Sequence, residues 1–241
     1  MTRASTTSSP IASHTAERQM RSWALALQNQ QRLAELKATP PQSLSQQIHP
    51  YVAVTREAGI DDDEVARQIA ARTHWKILDR EMLDHLADEQ HWSRTALDLV
   101  DERTASWFND TLGQWLDRQM VSQVEYVHRL AKIVILAAHH ESMIFMGRGA
   151  QFLLPPERGV TVRLVAPRKL RIKRLAEQQA CSEAKAEDLL DKIDDGRIDF
   201  VKRYYHRDVR DAHLYDLVIN MEHATSSAAA ELIANACKLR F

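Results

Sequence analysis

Glycine is scarce in this 241-residue chain, with six in all, at Gly59, Gly113, Gly147, Gly149, Gly159 and Gly196. That is about a third of average usage, so each one marks a place where backbone freedom or close approach is worth looking for. Cysteine occurs only at Cys181 and Cys237, too few for a disulfide framework and without C-x-x-C spacing, which predicts a reducing, cytoplasmic setting. No stretch approaches the roughly 18 uninterrupted apolar residues of a membrane span, and the N-terminus has no apolar signal core, so neither insertion nor secretion is expected. Neither sign of charge dominates: 32 Lys and Arg face 33 Asp and Glu for a net charge of -1, leaving no global field to draw the chain to nucleic acid. The motifs H-E-x-x-H, G-x-S-x-G and G-x-x-x-x-G-K-[ST] are absent, and His139-His140 lacks a third donor at metal-ligand spacing, so no metal site is predicted.

What is present describes a folded domain with an appendage. Hydrophobic residues make up 44% and charged residues 27%, close to globular averages, which argues against wholesale disorder. Residues 1–14 are small and polar and read as a tail. Residues 15–38 carry apolar positions at helical spacing (Met20, Trp23, Leu27), a candidate helix for docking a protein partner, and 39–49 read as a Pro, Ser and Gln-rich linker. From residue 50 to 241, short apolar runs alternate with helical patterns. Strands are predicted at Tyr51–Thr55, Trp75–Leu78, Ser142–Met146, Val160–Val165 and Leu217–Asn220. Helices are predicted at Glu64–Thr73, Arg168–Gln179, Ser182 to about Tyr205 and Thr225–Cys237, with further helical stretches to about His140 broken near Ser93 and Thr104. The aromatic series Trp107, Phe108, Trp115 and Tyr126 reads as core. This alternation predicts an α/β fold with a mainly parallel sheet covered on both faces.

In such folds ligands sit beyond the carboxyl ends of the strands. Those ends hold Arg56 to Glu64, Asp79-Arg80, Gly147-Arg148-Gly149 and Ala166 to Arg168. All four contain an arginine, and its planar, permanently charged fork suits phosphate; surface ion pairs explain the same pattern equally well. Residues 163–174 hold six basic side chains and no acidic one, for which a solvated helix face is the simpler explanation. Residues 194–207 place Arg197, Arg203 and Arg207 among carboxylates, suiting either a mobile lid over bound phosphate or an exposed helix laced with salt bridges.

The order of Val54-Thr-Arg-Glu57, Leu78-Asp-Arg-Glu-Met82, Ile144-Phe-Met-Gly-Arg-Gly-Ala150, Val162-Arg-Leu-Val-Ala-Pro167, Arg197 to Asp208 and Leu214-Tyr-Asp-Leu-Val-Ile-Asn220 resembles the cytidylate kinase-like family of P-loop nucleoside monophosphate kinases. The resemblance implies a three-layer αβα P-loop NTPase fold with a five-stranded parallel sheet, a helical lid at about 182–210 and here an extra N-terminal helix. It implies phosphoryl transfer from ATP, with Mg2+, to CMP or a similar nucleoside monophosphate. Carried over to this chain, it assigns the phosphate loop to Arg56, Glu57, Gly59, Ile60, Asp61, Asp62, Asp63 and Glu64. The same resemblance gives monophosphate binding to Asp79, Arg80, Gly147 and Arg148, and lid catalysis to Arg197 and Arg203.

One segment departs from the family pattern. Asp61 and Asp62 stand where glycines are expected, and Asp63 and Glu64 follow. Carboxylates there oppose a triphosphate, which suggests a catalytically inactive descendant that binds a nucleotide or a protein. The same residues also suit a helix N-cap and first turn, where acidic side chains complement the dipole by roughly 0.3–1 kcal/mol each. A magnesium site is a third reading, with less regular ligand spacing than such sites show.

Overall fold

A computed structural model describes residues 18–23, 25–26, 48–87 and 125–241. The tail, most of the predicted N-terminal helix and linker, the breaks near Ser93 and Thr104, and Trp107, Phe108 and Trp115 lie outside these residues. The regular elements are β1 (Tyr51–Arg56), α1 (Asp62–Thr73), β2 (Lys76–Leu78), α2 (Arg80–Ala87), α3 (Glu125–His140), β3 (Met143–Met146), β4 (Gly159–Val165), α4 (Arg168–Gln178), α5 (Glu183–Tyr205), β5 (Leu217–Asn220) and α6 (Ser226–Arg240). The chain divides into two compact units, one from Met1–Ile48 and Asp79–His140, the other from His49–Leu78 and Glu141–Phe241.

The second unit contains the whole sheet. Its order is β2-β3-β1-β4-β5 and every pairing is parallel, with Val54 opposite Met146 on one side and Val162 on the other. Val52, Val54, Ile144, Met146, Val162 and Leu164 point to one face and form a core with Val65 and Ile69 of α1 and Ala230 and Ile233 of α6. Their neighbours Tyr51, Ala53, Met143 and Phe145 point the other way and are equally buried. Burial of both faces explains why β1 and β3 read as unbroken apolar runs instead of alternating ones. Each fully buried aliphatic side chain contributes roughly 1.5–3 kcal/mol, so this layer is the main stabilising element.

Local signals set the helix ends. Asp61 caps α1 by accepting the Glu64 N–H at 3.2 Å, and His74 in the left-handed region (φ 60°) closes it, its N–H reaching the Ala70 carbonyl. Ser182 caps α5 through the Lys185 N–H, and Thr225 caps α6 through the Ala228 N–H. α4 and α5 form a hairpin around Leu175, Ala176, Ala186 and Leu190, and Ala58 of the β1–α1 loop packs into that small cluster. Gly159 is needed because the Tyr51 ring occupies the space its Cβ would take.

In the first unit α2 packs on α3. The Tyr126 hydroxyl donates to Asp84 Oδ1 at 2.6 Å, and Arg129 Nε donates to the Ala87 carbonyl at 2.8 Å, satisfying the end of α2. Residues 18–23 and 25–26 are helical, with Met20 and Trp23 buried and the Trp23 ring 6.3 Å from His140. No helix among the described residues is long and apolar enough to cross a membrane.

Candidate functional site

The β1–α1 loop and the turn after β3 lie side by side because β1 and β3 are neighbours and run in the same direction. The Gly147 N–H continues the ladder to the Val54 carbonyl at 2.8 Å. Its φ of 81° lies in the left-handed region, and an added Cβ would stand 2.9 Å from Arg56 Nη1, so glycine lets the Arg56 guanidinium lie against the turn. Arg148 takes φ 54°, an uncommon conformation for an arginine, and three contacts hold it there. The Tyr205 hydroxyl donates to the Arg148 carbonyl at 2.8 Å, the Phe200 ring lies 4.9 Å beneath the guanidinium, and the Tyr205 ring fills the space where a Gly149 Cβ would be. Phe200 and Tyr205 both belong to α5.

α5 also closes on the loop after β1. Arg197 Nη1 donates to the Arg56 carbonyl at 3.0 Å. Asp194, one turn earlier, accepts the Ala58 N–H on Oδ1 at 2.7 Å and Arg171 Nη1 on Oδ2 at 2.5 Å. Arg56 itself pairs with Asp62, Nε to Oδ2 at 2.6 Å, as an ion pair without good hydrogen-bond alignment. Arg56, Arg148 and Arg197 therefore converge where β1 and β3 end against α5.

The basic segment 163–174 is a solvated face only in part: Arg168, Lys169 and Lys173 are exposed, but two of its arginines are not. Arg163 and Arg171 are 7% and 8% exposed. Glu57 supplies the counter-charge: Oε1 lies 3.3 Å from Arg163 Nη2, Oε2 lies 3.3 Å from Arg171 Nε, and Oε2 also accepts the Ala166 N–H at 3.1 Å. Arg163 further donates to the Val209 carbonyl, and Arg171 to the carbonyls of Ala166 and Ala58. Among the described residues, only Arg168 of this stretch forms a salt bridge in the open, with Glu187 and Asp191 across the hairpin. Its guanidinium is held well above its ordinary pKa by the hydrogen bonds to Asp191 and then Glu187.

The remaining sequence-predicted residues are placed as follows. Gly59 (φ 77°) passes against the Arg171 carbonyl with no room for a side chain, and Ile60 is buried. Asp61 is the N-cap; Asp63 is exposed, its carboxyl raised by partial burial and then by the neighbouring Asp62. Glu64 accepts from Gln68 and Arg67, which hold it below the usual carboxylate range. Asp79 caps α2 by accepting the Met82 N–H at 2.7 Å, and Arg80 is the exposed first residue of that helix. Both belong to the first unit. Arg203 is exposed, its guanidinium 5.7 Å from the ring of Tyr204 beside it. Among the described residues no group of three His, Cys, Asp or Glu side chains is placed to hold a metal ion.

Sequence reasoning missed Asp194, Phe200 and Tyr205 as parts of this site. For Asp194 and Tyr205 spacing was the available signal, since 194, 197, 201 and 205 recur near every 3.6 residues and share one helix face; Phe200 lies off that face and gave no such signal.

Comparison with known proteins places this geometry in a family. Among curated proteins none matches significantly. A solved structure of an uncharacterized protein from Eubacterium ventriosum ATCC 27560 is 19% identical, with a TM-score of 0.64 over 79% of this chain and 99% of that one, a likeness of fold. Shikimate kinase from Bacteroides thetaiotaomicron (14% identity, TM-score 0.41, 79% of this chain and 96% of that one) and dephospho-CoA kinase from Campylobacter jejuni (13%, 0.37, 80% and 97%) are more distant, too far for residue roles to transfer. The family model for the cytidylate kinase-like family matches residues 51–223, from the first residue of β1 to just beyond β5. With residues 51–223 matched, more than half of its length, and all five parallel strands inside that span, this chain belongs to the cytidylate kinase-like family.

Proposed function

We propose that this chain is a non-catalytic member of its family that binds a nucleoside monophosphate at the Arg148 rim and does not transfer a phosphoryl group from ATP. The observation that carries this reading is the filling of the β1–α1 loop by the protein's own carboxylates. Asp61 caps α1, Asp62 holds Arg56, and Asp194 takes the Ala58 N–H. A triphosphate cradle needs the reverse, with backbone N–H groups open to the ligand and a positive helix end unopposed. ATP with Mg2+ therefore does not fit the residues present, and no step is derived through it.

The monophosphate side has support of a different kind. Arg148 is held in an uncommon backbone conformation by Tyr205 and stacked on Phe200, an arrangement that costs of order 1–3 kcal/mol and persists where surroundings fix it. Fixing a guanidinium in advance lowers the entropy lost on binding a phosphate, which favours a binding role.

Calorimetric titrations of CMP and of ATP with Mg2+ into the full chain test the proposal. Heat is expected with CMP and not with ATP, and Arg148→Ala is expected to weaken CMP binding about tenfold or more while leaving the fold intact. Saturable ATP binding together with formation of CDP would overturn the reading in favour of an active kinase.

A further inference from the structure

We propose that Asp194 is an internal anion seated where the β1–α1 loop would hold a phosphate, and that it keeps α5 closed as an autoinhibitory contact. This deepens the reading above by naming what blocks the loop, and its test is separable from CMP binding. The carboxylate sits in a ready-made anion seat. On one side is the Ala58 N–H at 2.7 Å, on the other Arg171 Nη1 at 2.5 Å, and Arg197 Nη1 lies 3.9 Å from Oδ1. Arg171 is buried and held by Glu57 and the carbonyls of Ala58 and Ala166, so the seat would remain after Asp194 leaves.

The same contact couples the loop to the rest of α5. Asp194, Arg197, Val201 and Tyr205 occupy one helix face, and Ala58 packs with Leu190 in the hairpin core. A phosphate cannot reach the Ala58 N–H while Asp194 holds it, and Asp194 cannot leave without shifting the helix that positions Phe200 and Tyr205 under Arg148. Loop access and the arrangement of the rim are thus two readouts of one docking equilibrium.

Hydrogen exchange of the full chain, read at the Ala58 amide and along α5, tests this. In Asp194→Ala the Ala58 amide is expected to exchange about tenfold faster or more than in the parent, because a charge-assisted hydrogen bond is lost. Millimolar inorganic phosphate should slow that exchange again in the variant and leave the parent unchanged. Asp194→Asn keeps the shape and one acceptor without the charge, so it guards against misfolding of the alanine variant; its exchange should fall between the two. Equal Ala58 exchange in parent and folded variants would overturn the proposal, as would phosphate protection of the parent equal to that of Asp194→Ala. CMP protection of residues 147–149, measured in the parent with Asp194 in place, reports on the monophosphate reading alone: its absence with the Ala58 results intact would sink that reading and leave the internal anion standing.

Discussion

Loss of the Glu57 carboxylate should destabilise the sheet-bearing unit more than loss of any other acidic side chain at the rim. Glu57 faces two guanidiniums that are 7% and 8% exposed, at 3.3 Å from each. Without it Arg171 retains Asp194 at 2.5 Å, but among the described residues Arg163 retains no carboxylate at salt-bridge distance, only the Val209 carbonyl at 2.6 Å, the Tyr215 side chain and the more distant charge of Asp208. An arginine left buried without a counter-charge costs about 3–5 kcal/mol, and the Ala166 N–H loses its acceptor as well. For a domain of this size each kcal/mol lowers Tm by roughly 2–4 °C, so Glu57→Ala should melt about 10 °C below the parent. Urea unfolding followed by circular dichroism gives the free energy, and pairing Glu57→Ala with Arg163→Met should restore part of the loss because the orphaned charge is gone. A loss under about 1 kcal/mol for Glu57→Ala, or no recovery in a folded double variant, would refute the reasoning.

Three further outcomes follow from local geometry. Asp61→Ala should cost about 1 kcal/mol in urea unfolding through loss of the α1 cap, with Asp61→Ser nearly neutral. Asp216 accepts the Thr161 N–H and hydroxyl and pairs with Arg240; burial raises its pKa, and these bonds outweigh burial to leave it below the usual carboxylate value. Its stabilisation is therefore complete above the unfolded value of 3.8 and lost as pH falls through the lower folded value, so Asp216→Asn should flatten the acid limb of a stability-against-pH curve below that point. Cys237 is buried, and burial pushes its thiol up to about 11, whereas Cys181 is partly exposed; a thiol reagent at pH 8 should label one cysteine of the native chain rapidly and the second only after unfolding.

β1 and β3 were legible because a strand buried on both faces leaves an unbroken apolar run, and the short apolar runs of the other three also lie within a residue of β2, β4 and β5. Helix starts were legible where a capping residue stood alone, as at Ser182 and Thr225. Arg56 and Arg148 could be placed beside one another because parallel order brings strand ends together, whereas Arg197 lies within α5 and was named from the charged segment 194–207 and the family resemblance. Burial of Arg163 and Arg171 was not legible, since the carboxylates that neutralise them, Glu57 and Asp194, lie far away in sequence. A run of like charge looks solvated until its partners are located, and only the fold brings them in. After β3 the chain forms only a 3-10 turn at Ala150–Phe152, followed by Pro155 and Pro156.

Charge at the loop supports the proposal that its acidic sequence is satisfied from within. Glu57, Asp61, Asp62, Asp63, Glu64 and Asp194 place six carboxylates around it, against the five guanidiniums of Arg56, Arg67, Arg163, Arg171 and Arg197. Every one of those arginines already faces a carboxylate, and Asp61 and Asp63 oppose the positive end of α1 besides. An incoming triphosphate would meet no unspent cation at the loop. It would also stand near carboxylates whose repulsion is about 4 kcal/mol per close pair at a protein surface. The helix-cap reading accounts for Asp61 and the ion-pair reading for Asp62, so neither residue needs a ligand to explain it. A loop satisfied from within in this way has no electrostatic reason to close on ATP. Removing Asp194 alone frees the Ala58 N–H and Arg171 Nη1 for one anion and leaves the other carboxylates of the loop in place.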